Sequence, residues 1–187
     1  MASVDAERTT EAGTGVRRPL LGILGIGATL VALDQLTKWW AIEALSDPTR
    51  TIDLFWTLRF RLLYNRGTAF SLTDDSGSIV GVVAVLVVLL LLRSGRNQRS
   101  RLVVVSYGLV VGGTVGNLAD RVFREGEGFF GGGVVDFVDP QWFPVFNVAD
   151  AALTIGIGIL LVAGFFTDAF EETGDETPEP SGRTDPG

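Results

Sequence analysis

The chain has 187 residues, 47% of them hydrophobic and 20% charged, and it contains no histidine and no cysteine. Those two absences exclude histidine-based zinc centres, Ser-His and Cys-His nucleophiles, disulfides and thiol redox chemistry. The formal net charge of -7 marks no acidic binding surface, because three acids lie in residues 1–11 and seven beyond residue 167, and nothing in the pattern points to nucleic acid.

Along the chain, residues 1–15 are polar and read as a disordered tail. A first apolar stretch, residues 20–42, is interrupted only by Asp34 and Lys38. A loop over residues 43–75 follows. Its stretch TIDLFWTLRFRLLYNRGTAFSL is rich in aromatic and β-branched residues with partial alternation, which predicts short strands on a membrane surface. Residues 76–92 and 102–119 are two further apolar stretches without a single charge. Residues 120–146 form a second loop, whose GEGFFGGG run predicts mobility. The last apolar stretch, with its span placed at 147–167, carries one charge, Asp150. Residues 168–187 read as a second, acidic disordered tail.

Each apolar stretch can cross roughly 30 Å of hydrocarbon at about 1.5 Å per residue, and their lengths favour helix over strand. The expected fold class is an all-α membrane protein with four transmembrane helices, its membrane domain covering residues 16–167. The first stretch lacks a small-residue cleavage site and precedes three more spans, so it reads as a span rather than a signal peptide. Four arginines lie in residues 93–101, and Arg17 and Arg18 precede the first span. The positive-inside rule then places both termini in the cytoplasm and both longer loops outside.

With that topology the polar residues of the spans fall at one height. Asp34 lies about 22 Å along an outward-running helix, with Lys38 one turn further on the same face. Asn117, Asp120 and Arg121 close the outward-running third span, while Asn147 and Asp150 open the fourth. Asn65, Arg66 and Asp136 lie in the outer loops. A charge inside a span costs at least a few kcal/mol, so each asks for a reason.

Structural readings compete with functional ones. Asp34 and Lys38 form either a self-neutralising pair or part of a site. Asn117 and Asn147 either join helices by hydrogen bonds or serve the site. Asp120 with Arg121 reads as an interfacial salt bridge or a topological anchor rather than a catalytic group. Trp39, Trp40, Trp56 and Trp142 read as interfacial belt residues, and Gly112, Gly113 and Gly116 as points of close helix packing. Asp136 and Asp150 resist such accounts, since neither has a basic residue within a helical turn. Two carboxylates in low dielectric share a proton. The ionised one can activate water and the protonated one can polarise a peptide carbonyl, with no histidine, cysteine, metal or cofactor needed.

The blocks DQLTKWW (34–40), YNRGTAFSL (64–72), GGTVGNLADR (112–121), VVDF (134–137) and FNVADAALTIG (146–156) together resemble lipoprotein signal peptidase, also called signal peptidase II. The resemblance covers residues 20–166. It implies a four-helix bacterial membrane aspartyl peptidase with a small periplasmic β-cradle, cutting prolipoproteins before a diacylglyceryl-bearing Cys. By motif, the catalytic pair falls on Asp136 and Asp150. Asp34, Lys38, Asn65, Gly67, Ala69, Phe70, Asn117, Asp120, Arg121, Asn147 and Ala149 match positions that shape the site or bind substrate. The implied partners are lipidated prolipoproteins and membrane lipid, with the chain a monomer that uses no metal or cofactor.

One stretch departs from the family pattern: VFREGEGFFGGG, just before Val134, is longer and richer in glycine. Asp139 and Asp120 therefore compete with Asp136 for the first catalytic position. A reading from another class is a small proton- or cation-coupled transporter subunit using Asp34, Asp120 and Asp150. Against it, such paths place ionisable groups near the midplane, and no inverted repeat is present. Reporter fusions after Arg96 are expected to report cytoplasm and fusions within residues 126–133 the outside. The opposite pattern would put the polar layer on the wrong face.

Overall fold

The computed structural model describes residues 17–66, 76–126 and 128–172; Gly67, Ala69 and Phe70, and most of the two expected tails, lie outside the described residues. Four helices and three strands follow one another: α1 (Arg17–Ala44), β1 (Ile52–Phe55), β2 (Leu58–Asn65), α2 (Ser76–Gly95), α3 (Arg101–Phe123), β3 (Val134–Asp139) and α4 (Val148–Glu172). Each helix runs past the apolar stretch that marks it, because polar residues continue the hydrogen-bond ladder beyond the hydrocarbon. Pro19 sits in the first turn of α1, where its missing N–H costs nothing. Ser100 caps α3 by accepting from the Val103 N–H. Among the described residues three helices are long and apolar enough to cross a membrane, namely Pro19–Ala44, Ser78–Gly95 and Arg101–Phe123, and α4 contributes a shorter apolar run, Val148–Gly164.

Helix α3 is the centre of the bundle and packs against α1, α2 and α4, whereas α2 and α4 stand apart on either side of it. Small residues make this possible. A Cβ on Gly112 would lie 2.9 Å from the Gly27 carbonyl oxygen of α1, and one on Gly113 would lie 2.5 Å from the Ala149 carbonyl oxygen of α4. The packing role expected for these glycines is thus what the helices require. On α2, Ile79, Val82, Val83, Leu86, Leu89 and Leu90 remain exposed, forming an apolar outer face suited to lipid.

The strands form one antiparallel sheet in the order β1-β2-β3. The first two fall in the loop where short strands were expected. The third, β3, lies in what the sequence reading treated as a loop. It is buried along almost its whole length. Val135 and Phe137 pack against Ala41 and Leu45 at the end of α1, where Trp40 meets Phe60 and Phe137 edge-on and those two rings pack tilted. Because the opposite face is buried too, Val134-Val135-Asp136-Phe137 shows no polar alternation to reveal a strand.

The glycine-rich run, expected to be mobile, is folded back on the bundle. Gly126 and Gly132 form an antiparallel bridge, the Gly132 N–H donates to the Arg121 carbonyl oxygen at 3.1 Å, and the Ser78 hydroxyl of α2 donates to the Phe129 carbonyl oxygen at 2.6 Å. Packing at Gly113 is testable. Gly113→Ala is expected to lower the unfolding midpoint in detergent, an overpacking cost of about 1–3 kcal/mol. Gly158→Ala, where a Cβ meets nothing within 4 Å, is the control that should leave it unchanged or slightly raised.

Candidate active site

The N-terminus of α4 builds the centre of the site. Asn147 is the residue before the helix; its Oδ1 accepts from the Asp150 N–H at 2.9 Å while Asp150 Oδ2 accepts from the Asn147 N–H at 3.2 Å. This reciprocal capping box satisfies two orphan donors and fixes the Asp150 carboxylate at the first turn. A third donor there, the Ala149 N–H, gives its hydrogen bond to Asp34 Oδ1 of α1 at 3.1 Å.

Asn147 also reaches the sheet. Its Nδ2 lies 2.7 Å from Asp136 Oδ1, 3.2 Å from the Val135 carbonyl oxygen and 3.0 Å from Asn117 Oδ1. Asn117, nearly two turns before the end of α3, donates from Nδ2 to Asp150 Oδ1 at 2.8 Å. Asn65, paired with Val134 across the sheet, reaches diagonally to Asp136 Oδ2 at 3.1 Å. Asp136 and Asp150 therefore come from a strand and a helix, joined through one buried amide.

Behind them lies an ion cluster that is almost wholly buried. Lys38 Nζ contacts Asp34 Oδ2 at 2.8 Å, Asp120 Oδ2 at 2.9 Å and Asn117 Oδ1 at 3.0 Å. Asp120 also accepts from Arg124 Nε at 2.7 Å and from the Val135 N–H at 3.0 Å, tying α3 to β3. Gln35 Nε2 fills the remaining space, donating to the Gly116 carbonyl oxygen at 3.1 Å and approaching Asp34 and Asp120. Among the described residues no buried polar side-chain atom lacks a partner. The two open readings of Asp34 with Lys38 and of the asparagines therefore coincide, since the same bonds join helices and hold the carboxylates.

Asp136 and Asp150 both line a pocket of about 190 Å³, walled by Val80 and Ala84 of α2, Thr114, Asn117, Leu118 and Arg121 of α3, and Leu153 of α4. It occupies the gap that α2 and α4 leave on either side of α3. Burial, and next the charge of Asp150, raise the Asp136 carboxyl from its ordinary 3.8 to about 6, against the lowering effect of the Asn65 and Asn147 hydrogen bonds. Asp139 shifts the other way. Burial would raise it, but hydrogen bonds from Arg59 and the Gln141 N–H and the charge of Arg61 hold it below the ordinary value.

Asp139 is thus an ion-pair partner of the sheet arginines and lies away from the pocket. Asp120 is enclosed by Lys38, Arg124 and the Val135 N–H and does not line it either. The expected Asp120–Arg121 salt bridge is replaced by Asp120–Arg124, because residues four apart share a helix face and adjacent ones do not. Arg121 turns instead to the pocket wall. Sequence reasoning missed Gln35 and Arg124. The first lay inside the DQLTKWW block, and the second was readable from its i+4 spacing to Asp120.

A family model described as signal peptidase (SPase) II matches residues 26–166. The chain belongs to the signal peptidase II family. Its relatives include a lipoprotein signal peptidase of Rhodococcus jostii, 41% identical over 80% of this chain and 74% of that protein, and one of Mycobacterium avium, 36% identical over 84% and 86%. Two solved structures, each described as a bacterial membrane enzyme, share the fold. One has a TM-score of 0.65 at 23% identity, covering 86% of this chain and 94% of the other; the second has 0.66 at 24%, covering 75% and 90%. Membership makes the chain a peptidase, and the transporter alternative falls with it.

The raised Asp136 value has a consequence for stability. It favours the protonated folded state, so its contribution is fully present below pH 3.8 and is lost as pH rises through about 6. Two pH units correspond to about 3 kcal/mol as an upper bound. The unfolding midpoint of the wild-type chain, relative to Asp136→Asn, is expected to fall between pH 4 and pH 7. A difference independent of pH would contradict the buried, desolvated setting of Asp136.

Proposed function

We propose that the chain is a membrane aspartyl endopeptidase that removes signal peptides from diacylglyceryl-modified prolipoproteins, cleaving before the lipidated Cys. The observation that carries this reading is the pair of carboxylates, Asp136 and Asp150, on one pocket wall and joined through Asn147. The relatives' name, lipoprotein signal peptidase, supports the substrate class.

In this reading all four helices span the cytoplasmic membrane of a bacterium, with both termini cytoplasmic and the site at the outer leaflet. The length of α4 and the arginines of residues 93–101 support that arrangement. The pocket has both α2 and α4 on its wall, which suits it to a lipid-anchored peptide travelling in the leaflet. Asn65 and Arg121, which line the pocket, offer hydrogen bonds to an extended substrate backbone. The chain is taken to act as a monomer on lipidated prolipoproteins held in the membrane.

The chemistry needs only the two carboxylates and one water. The ionised carboxylate takes a proton from water as the water oxygen bonds to the scissile carbonyl carbon, and the protonated carboxylate gives its proton to the carbonyl oxygen. The product is a neutral gem-diol. As the C–N bond breaks, the first carboxylate returns its proton to the leaving nitrogen. A hydroxyl of the gem-diol gives one to the second, restoring the starting pair.

Asp136→Asn and Asp150→Asn are each expected to abolish cleavage of a diacylglyceryl-modified model peptide, with insertion and substrate binding retained. Loss of one acid–base partner costs about 100- to 10,000-fold, and the double variant should be little worse than either single. Asp120→Asn should lower the yield of folded protein more than turnover per folded molecule. A well-folded but inactive Asp120→Asn beside an active Asp136→Asn would move the pair to Asp120 and Asp150.

A further inference from the structure

The buried ion cluster ties α1, α3, α4 and β3 to one another but leaves out α2, which gives the pocket a wall through Val80 and Ala84. From Ile79 to Val88 this helix carries only apolar side chains and one glycine. Over that length it has no polar side chain with which to fix its position, and the pocket lies between it and Thr114, Leu118 and Arg121 of α3. We propose that the tip of the glycine-rich connection, Phe129 and Phe130, is a strap that fixes this wall, with Phe130 a positioning residue that acts on substrate binding through α2. The proposal rests on the aspartyl reading, which puts the scissile peptide in this pocket.

The path of the connection is the first support. It leaves α3 just beyond Arg121, reaches α2 two residues before Val80 and returns at Val134, and all three of those residues line the pocket. The strap therefore joins three walls of one cavity. At its base the Gly126–Gly132 bridge and the Gly132 N–H on the Arg121 carbonyl oxygen hold its two limbs together.

The seat on α2 is the second. The Ser78 hydroxyl donates to the Phe129 carbonyl oxygen at 2.6 Å, and three residues on, on the same helix face, Gly81 is buried under the Phe130 side chain. A Cβ on Gly81 would lie 2.7 Å from Phe130 Cβ and nearer still to Cγ and Cδ2 of the ring. Glycine weakens a helix interior, and here its bareness is what admits the ring.

The backbone of the tip is the third. Phe130 has φ 59°, in the left-handed region, which a bulky residue holds only where its surroundings impose it. The contacts that impose it are the hydrogen bond from Ser78 and the ring on Gly81; Phe129 is 71% exposed. Neither ring lines the pocket, so the strap works by holding Val80 and Ala84 rather than by touching the peptide.

The test uses the full chain in detergent with a diacylglyceryl-modified peptide, reading kcat and KM separately. Gly81→Ala favours α2 as a helix while it unseats the ring. KM should rise about tenfold with kcat within about threefold, the mark of lost binding rather than lost chemistry. Phe130→Ala should do the same, and the double variant should be little worse than either, because both remove one contact. The chain has no cysteine of its own, so introduced thiols stand alone. Reduced Gly81→Cys/Phe130→Cys should resemble Gly81→Ala, and closing its disulfide should return KM toward the wild-type value. A second readout needs no catalysis: adding Phe130→Ala to Ala84→Cys should speed its reaction with a water-soluble maleimide about tenfold, as the wall loosens.

Wild-type KM in inserted Gly81→Ala and Phe130→Ala overturns the proposal. A lowered kcat at unchanged KM overturns it too, by moving the strap's effect from the wall to the chemistry. So does a disulfide form that is dead while its reduced form turns over, since the strap would then be a gate that has to open. If Asp136→Asn or Asp150→Asn stays active, the aspartyl reading fails, and the maleimide rate judges the strap by itself: an unchanged rate overturns it.

Discussion

A charged group taken wholly out of water has to be paired on every side, and in this chain that constraint is met at one ammonium, Lys38. Taking an ion out of water costs several kcal/mol even after relaxation, and removing one partner of a buried pair costs about 3–5 kcal/mol. Lys38 meets the cost by drawing in Asp34 from its own helix and Asp120 and Asn117 from α3. Those partners carry the link onward. Asp34 accepts the Ala149 N–H of α4, and Asp120 accepts the Val135 N–H of β3. Four elements are therefore tied to a single charge, and the two carboxylates of the pocket sit on the two elements that this cluster holds by their backbones.

The close approach of the helices serves the same end. Gly116 leaves no room for a Cβ, which would lie 2.7 Å from Asp34 Oδ2, so the carboxylate can cross from α1 to the start of α4 past the face of α3. Small residues at this crossing are usually explained by van der Waals packing alone. Here they also let a polar side chain of one helix reach the unsatisfied end of another.

Much of this was legible in the residues. The apolar stretches mark the helices by length, and once their directions are assigned, the heights of Asp34, Lys38, Asn117, Asp120, Asn147 and Asp150 follow from the rise per residue. The structure gathers these six with Asp136 and Asn65. What was not legible depended on direction rather than height. Asp120 was matched with its neighbour Arg121, although about 100° of helix separates adjacent side chains, and its partner proved to be Arg124. Strand β3 was hidden because burial on both faces removes the alternation that announces a strand. Nor could composition show the bonds from Ser78 and to Arg121 that the glycine-rich loop before it makes.

The long glycine-rich connection before β3 gains meaning from how that strand is held. Its register is set by bonds outside the connection: Asp120 to the Val135 N–H, Asn147 to the Val135 carbonyl oxygen, and Arg59 and Arg61 to Asp139 at the far end. A slip of one residue would turn Asp136 away from the pocket and break all of them together. The bonds that set the position of the carboxylate are thus made by other elements than the connection that leads to it. Sequence length in this segment is uncoupled from chemistry. The spacing of its reactive groups is a property of the contacts around β3 rather than of the number of residues that precede it.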